Sequence, residues 1–325
     1  MRTVVTGGSG FIGSHLVKRL AQQGRQVIVA SLNRSDAGCD NVDLTDYDQA
    51  LKAIAGAETV FHLAARVGSL DYLHSTGAAE LSALQTNLVI DANVFRACRG
   101  NKVKKLVYAS SCAVYPMDRQ SSPGAVFAET DLALPGAILL NPDGGYGWTK
   151  LLGELQLNWT PGIAVGIARI FNVYGENEPL DERAHVIGDL IRKAILCPDR
   201  EFRVRGNGEQ SRDFLYVTDC VEALIRLEEK ATSPPVTVNI GSGKAITVRE
   251  IAESIAILSG KGITPVFDRF QPVGPVSRTA DITQVRAVLG WQPEVSLETG
   301  LKHTYAWVQK RLRENENLGG HSDQE

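Results

Sequence analysis

Tyr146-Gly-Trp-Thr-Lys150 sets a phenol and an ammonium one helical turn apart, on one face of a predicted helix. A tyrosine's ordinary pKa of about 10 is too high for a base at neutral pH. A nearby lysine or another positive charge favours the phenolate, so Tyr146 is suited to take a proton from a substrate hydroxyl. Ser111, at the carboxyl end of a predicted strand, could hydrogen-bond the same oxygen as it becomes a carbonyl. A Tyr-x-x-x-Lys pair also arises by chance on helix surfaces. Its meaning depends on what else the chain contains.

The second motif opens the chain. Arg2 to Thr6 is short, apolar and β-branched, which predicts a strand, and Gly7, Gly10 and Gly13 follow at G-x-x-G-x-x-G spacing. A helical pattern begins at Phe11 and Ile12. The first glycine permits a tight turn, the second lets backbone approach a pyrophosphate, and the third lets helix pack on strand. Helix-start N–H groups and the helix dipole then face the phosphates. Strand, glycines and helix together predict a dinucleotide site, and with Ser111 they make the tyrosine-lysine pair specific.

The elements that position these groups alternate. Val27 to Ala30 predicts a second strand, where an acidic residue would hold the adenosine ribose. Ser31 stands there instead, with Arg34 close behind, which leans toward NADP over NAD, although Arg34 as a solvated loop residue is equally plausible. Asp43 and Leu44 could flank the adenine. Val60 to Ala65 predicts a buried strand with a core histidine at His62, and Leu63, Ala64 and Ala65 would pass near a flat cofactor. Glu80 to Cys98 predicts a long helix, and Lys105 to Ser110 another strand. The fold expected is α/β, a Rossmann-like doubly wound parallel sheet with a smaller mixed α/β substrate lobe. Thr247-Val-Arg-Glu250 is a capping box, and Asp281 to Gln284 and Ser296 to Thr299 announce further helix starts. The division expected is 1–169 for the dinucleotide domain, with 211–230 returning to it. Residues 170–210 and 231–313 would form the lobe and 314–325 a disordered tail.

Composition narrows the function classes. The chain has 325 residues, 43% of them apolar, and a formal charge of −3. That balance gives no basic face for nucleic acid or anionic lipid, and no stretch reaches the roughly 20 apolar residues of a membrane helix. A cytoplasmic location is expected, since no secretory pattern precedes the glycines. The 5 cysteines are odd in number and lack C-x-x-C spacing, so neither a disulfide framework nor a metal site is expected.

Thr6 through Gly13, Leu63-Ala64-Ala65, Ser110-Ser111 and Tyr146 with Lys150 resemble the extended short-chain dehydrogenases that act on nucleotide sugars, the NAD-dependent epimerase/dehydratase family. The likeness continues through Arg169-Ile-Phe-Asn172-Val-Tyr-Gly175, Arg205-Gly-Asn-Gly208, Arg212-Asp-Phe214 and Asn239-Ile-Gly-Ser242. Within the family the chain is most similar to GDP-mannose 3,5-epimerases and GDP-fucose synthases. Gly68 and Ser69 resemble their glycine segment beside the sugar, and Ala184-His185-Val186-Ile187 resembles the synthases at their acid/base histidine. The resemblance implies a nucleoside-diphosphate sugar as substrate, held by Gly68, Ser69, Ser111, Asn172, Arg205, Arg212 and Arg278. It also implies NADP or NAD as cofactor, and a homodimer through two long helices.

The mechanism implied is transient oxidation at C4, after which C3 and C5 protons become acidic enough for a side-chain pair such as Cys112 and His185 to exchange. The family cysteine falls on Ala113, one place along, so strand alternation would turn Cys112 away, and a small buried core side chain explains it equally well. An Asp-Glu pair at residues 112 and 113 would mark a 4,6-dehydratase and is absent. A UDP-sugar 4-epimerase using only Ser111, Tyr146 and Lys150, an NADPH-dependent keto-sugar reductase, and a non-catalytic dinucleotide sensor remain open alternatives.

Overall fold

The computed structural model describes residues 2–32, 39–69, 72–73, 75–132, 140–271 and 273–319. A seven-stranded sheet runs in the order Val236–Ile240, Ala164–Ile170, Lys105–Ser111, Thr59–His62, Arg2–Thr6, Gln26–Ser31 and Cys39–Asn41. All its pairings are parallel, with Val5 opposite Val29 on one side and Phe61 on the other. The period of two explains the apolar runs in these strands. Val4, Val60 and Leu106 feed one core, while Val5, Phe61 and Val107 feed the other. The first core is closed by the helix Gly77–Gly100 through Val94 and Phe95, the second by Leu16 and Leu20 of Phe11–Gln22 and by Val217–Glu229. This is the expected doubly wound α/β fold. Its strand order reverses beside Arg2–Thr6, where the crevice for a ligand opens.

A second, mixed sheet orders Ala245–Thr247, Ser211–Tyr216, Ser277–Ala280 and Val126–Phe127, and Asn172–Tyr174 pairs onto Ser211–Tyr216. Three expectations about organisation are corrected by these pairings. Val236–Ile240, expected in the lobe, is the outermost strand of the parallel sheet, where its buried Val238 and Ile240 extend the larger core. Val126–Phe127, expected in the dinucleotide domain, pairs with Thr279 and Ala280 of the mixed sheet, and Phe127 is buried there against Tyr115. The returning segment divides likewise: Ser211–Tyr216 stays in the mixed sheet, and only Val217–Glu229 packs on the parallel one.

The C-terminal helix, Leu297–Gly319, also runs past Glu314, where a disordered tail was expected. Ion pairs from Lys310 and Arg311 to Glu314, at helical spacing, carry it on. Residues 320–325 lie outside the described residues. No helix among the described residues is long and apolar enough to cross a membrane.

Candidate active site

The glycine turn is built as a cradle. Gly7 has φ +69°, and a Cβ on it would stand 2.8 Å from the Ala64 nitrogen, so the turn lies directly against Leu63-Ala64-Ala65. A Cβ on Gly13 would collide with the Gly7 carbonyl oxygen, which is the close packing of helix on turn that the spacing predicted. Gly10 is the N-cap of Phe11–Gln22 and offers no side-chain acceptor to the first-turn N–H groups, among them those of Phe11 and Ile12. Backbone donors at a helix start with no side-chain cap fit a pyrophosphate well.

The flanks of the cradle are less uniform. Ser31 is buried, and its hydroxyl accepts a 3.2 Å hydrogen bond from the Ser9 N–H of the glycine turn. Arg34 lies outside the described residues. Asp43 turns its carboxylate onto the N–H and hydroxyl of Thr45, and Leu44 is buried with its carbonyl accepting from Asn93. Beyond Ala65, Asn87 accepts from the Arg66 N–H at 2.6 Å and donates back to its carbonyl at 3.0 Å. That pair pins the loop bearing Gly68, whose missing side chain leaves room for Tyr72, and Ser69, which donates to the Glu182 carbonyl at 2.6 Å.

Ser111 ends the strand Lys105–Ser111 and accepts from the Ala113 N–H at 3.1 Å, capping a 3₁₀ turn over Cys112–Val114. The turn overrides the strand alternation that would have sent Cys112 away. Cys112 is buried, and Arg278 Nη1 donates to its sulfur at 3.3 Å, while Nη2 donates to Asp143 at 2.7 Å. Asp143 is the N-cap of Gly144–Asn158, the helix carrying Tyr146 and Lys150. A Cβ on Gly147 would stand 2.5 Å from the Ala113 carbonyl, so this helix presses onto the serine-cysteine turn. Tyr146, Ser111, Cys112 and Arg278 thus meet at one corner.

The charges at that corner are governed by burial. Burial pushes the Tyr146 phenol up, and a hydrogen bond from Ser111 pulls the other way. Lys150 is only 2% exposed, with Nζ 4.8 Å from the Tyr108 ring centre and 5.8 Å from that of Tyr146. Its burial lowers the ammonium's pKa, opposed by the charges of Asp91 and Glu154. Arg212 and Arg278 stand opposite each other on adjacent strands. Burial, then the charge of Arg278, brings Arg212 down to about 10.

A cavity of about 540 Å³ opens beside this corner, lined by Ser69, Asn172, His185, Arg205 and Arg212 among others. Among the described residues the buried Oδ1 of Asn172 has no hydrogen-bond partner, a polar atom suited to a ligand donor. His185 precedes the helix Val186–Leu196 and is 39% exposed on its side chain. Its backbone N–H and Nδ1 both meet Glu178 Oε1, at 2.9 and 3.0 Å. Burial opposes a charge on the ring, but the hydrogen bond and charge of Glu178 outweigh it, and the pKa is raised.

Sequence reasoning missed three supporting groups. Asp91 accepts from Tyr108 at 2.6 Å and lies 3.0 Å from His62, whose other nitrogen is 2.6 Å from Thr6. Glu154, one turn beyond Lys150, accepts from Ser110 and forms a buried bidentate pair with Arg169. Glu178 is buried within the run Glu176-Asn-Glu-Pro-Leu-Asp-Glu182, which reads as a solvated loop. Its only sequence signal was proximity to His185. Among the described residues no cluster suited to a metal ion occurs.

Comparison with known proteins places these features in context. The sequence model of the NAD dependent epimerase/dehydratase family matches residues 3–241. GDP-mannose 3,5-epimerase 1 of Oryza sativa subsp. japonica is 32% identical, over 98% of this chain and 84% of its own length. The fold is similar to that of UDP-glucose 4-epimerase from Thermotoga maritima with UDP-glucose, at TM-score 0.83 and 26% identity, covering 96% of this chain and 100% of that one. It is also similar to MoeE5 in complex with UDP-glucuronic acid and NAD, at TM-score 0.80 and 30% identity, with the same coverage of 96% and 100%.

Proposed function

The chain belongs to the NAD dependent epimerase/dehydratase family, and from that footing we propose that it inverts stereocentres of a hexose carried on a nucleoside diphosphate, most like a GDP-mannose 3,5-epimerase. The single observation that favours this over simpler family chemistry is the Arg278–Cys112 hydrogen bond beside Tyr146. With a bound dinucleotide as the hydride acceptor, oxidation at C4 would need no side chains beyond Ser111, Tyr146 and Lys150. A thiol held at the same corner by a guanidinium is an added acid/base group.

The glycine cradle fits a dinucleotide, with Gly7, Gly10, Phe11, Ile12 and Gly13 toward the pyrophosphate, Ser31, Asp43 and Leu44 toward the adenosine, and Leu63, Ala64, Ala65, Tyr146 and Lys150 toward the nicotinamide end. When bound, that cofactor would supply the hydride acceptor and donor that a reversible oxidation at C4 requires. Serine rather than a carboxylate at residue 31 leaves NADP as acceptable as NAD. Tyr146 takes the C4 hydroxyl proton, with the Ser111 hydrogen bond working toward the phenolate against its burial and Lys150 one helical turn away. Once C4 is a carbonyl, Cys112 and His185 remove and return protons at C3 and C5. Arg205 and Arg212 line the cavity with guanidinium groups of the kind that suits a diphosphate, whereas both Nη atoms of Arg278, expected to join them, are engaged with Cys112 and Asp143, and Gly68, Ser69 and Asn172 border the sugar side.

Proton NMR of GDP-mannose incubated with the protein in heavy water, without added reductant, tests this reading. Loss of the C3 or C5 signals is expected. A second reading, UDP-sugar 4-epimerisation, is supported by the likeness to the UDP-glucose 4-epimerase. It predicts unexchanged C3 and C5 protons and interconversion of UDP-glucose and UDP-galactose. Net consumption of NADPH would point instead to a keto-sugar reductase, and tight nucleotide binding without turnover to a sensor. Exposed Leu81, Val89 and Trp148 on the helices Gly77–Gly100 and Gly144–Asn158 support a homodimer through those helices.

A further inference from the structure

We infer that Glu178 is the positioning residue of the acid/base histidine: it fixes His185 as the Nδ1–H donor, leaving Nε2 as the working nitrogen on the cavity side. The inference rests on the proposed role of His185. One carboxylate oxygen of Glu178 takes both hydrogen bonds from His185, to backbone N–H and to ring, so the ring is set relative to its own main chain. The other oxygen is buried with no hydrogen-bond partner among the described residues, and Gly188 packs beside it with room for no more than a tight Cβ, 3.2 Å away. A buried carboxylate with one oxygen left without a donor is costly to keep. The two hydrogen bonds from His185, backbone N–H and ring, offset that cost.

Glu178 is itself held from behind. The Glu176 carbonyl accepts from His15 Nε2 at 2.9 Å, and the Asn177 side chain donates to Ser14 at 3.2 Å. Both partners belong to Phe11–Gln22, the helix of the glycine cradle. Asn177 has φ +67°, a left-handed kink in this strap. The strap thus ties the cradle helix to His185.

Other charged groups share the cavity wall with His185. Asp189, Arg192 and Lys193 come from its own helix, and Asp189 is paired with both cations. Asp181 and Glu182 come from the preceding loop, where Asp181 is paired with Arg183, and Arg205 and Arg212 face from the strands opposite. Glu178 is the one that hydrogen-bonds the ring.

Nitrogen-15 NMR of histidine-labelled protein reads the ring directly and needs no substrate. In the wild type the neutral ring of His185 is expected as the Nδ1–H tautomer, assigned by its loss in His185→Gln. In Glu178→Gln the ring should titrate at lower pH than in the wild type, and Glu178→Asp should restore part of the difference. Deuterium exchange into the sugar should show its pH limb moved the same way, with at least about a tenfold loss on the alkaline side. An Nε2–H tautomer in the wild type, or an unmoved titration in a folded Glu178→Gln protein, overturns the inference. Failure of the epimerase reading would appear separately, as wild-type protein that exchanges no sugar proton while the ring behaves as stated.

Discussion

Arg278 Nη1 lies 3.3 Å from the Cys112 sulfur while Nη2 of the same guanidinium grips Asp143 at 2.7 Å. One planar group therefore spans the serine-cysteine turn and the start of the tyrosine helix. A proton leaving Cys112 would leave its negative charge directly against a cation that cannot be titrated away near neutrality. Cys112→Ser should reduce C3 and C5 exchange by about a hundredfold or more while C4 oxidation persists. Deuterium incorporation and trapping of the keto sugar measure the two separately. Unchanged exchange would return Cys112 to the core and favour the 4-epimerase reading.

Tyr146→Phe should abolish nearly all turnover, a loss of at least about 100-fold, with dinucleotide binding intact. The phenol is half-buried and its ring stays useful for packing, so the fold should tolerate the change. Calorimetric binding of the cofactor beside a turnover assay checks both halves. Wild-type turnover in this variant would remove the tyrosine from the mechanism.

Gly153 faces the hydroxyl of Tyr108, and a Cβ there would collide with it and stand 2.9 Å from Asp91 Oδ2. Gly153→Ala should therefore cost about 1–3 kcal/mol by overpacking, despite alanine's better helix propensity. Urea denaturation reads the loss. Stabilisation instead would mean that Tyr108 and Asp91 yield more easily than their buried hydrogen bond suggests.

Ser31→Asp should shift cofactor preference from NADP toward NAD, since a carboxylate would meet the ribose 2′ position with its charge. The ratio of dissociation constants for the two cofactors measures this. An unchanged ratio would show that residue 31, committed to the Ser9 N–H, does not read the 2′ position.

Glu250 closes the capping box of Val248–Ser259, and hydrogen bonds from Thr247 hold its carboxyl below its ordinary value. A group bound more tightly as its anion in the folded chain adds stability above its unfolded pKa. That increment is lost as pH falls through the lower folded value. Glu250→Ala should lower stability by about 1 kcal/mol at neutral pH, with the gap narrowing below about pH 4. Thermal melts of both proteins at the two pH values decide it.

The parts of the site that could be read from the sequence are those whose physics is local. The glycine spacing, the Tyr146–Lys150 turn and the Thr247–Glu250 box each span only a few consecutive residues, and each forms as its spacing implies. Cys112 was harder, because its direction depends on whether a strand continues or turns. The Ser111 hydroxyl decides that by capping the 3₁₀ turn. Glu178 and Asp91 were invisible for another reason. Their partners His185, His62 and Tyr108 reach them from other elements or around a loop, and nothing in a charged run announces that one of its acids is buried.

The exchange of strands between the two sheets bears on how such a protein can be cut, fused or recombined. A fragment ending near Arg169 would lack Val236–Ile240, baring the whole edge of Ala164–Ile170, and would carry Val126–Phe127 with no strand to pair it. Such an edge invites association with other chains. The cofactor half is therefore no portable module, and functional chimaeras with relatives should exchange loops around the cavity rather than lobes.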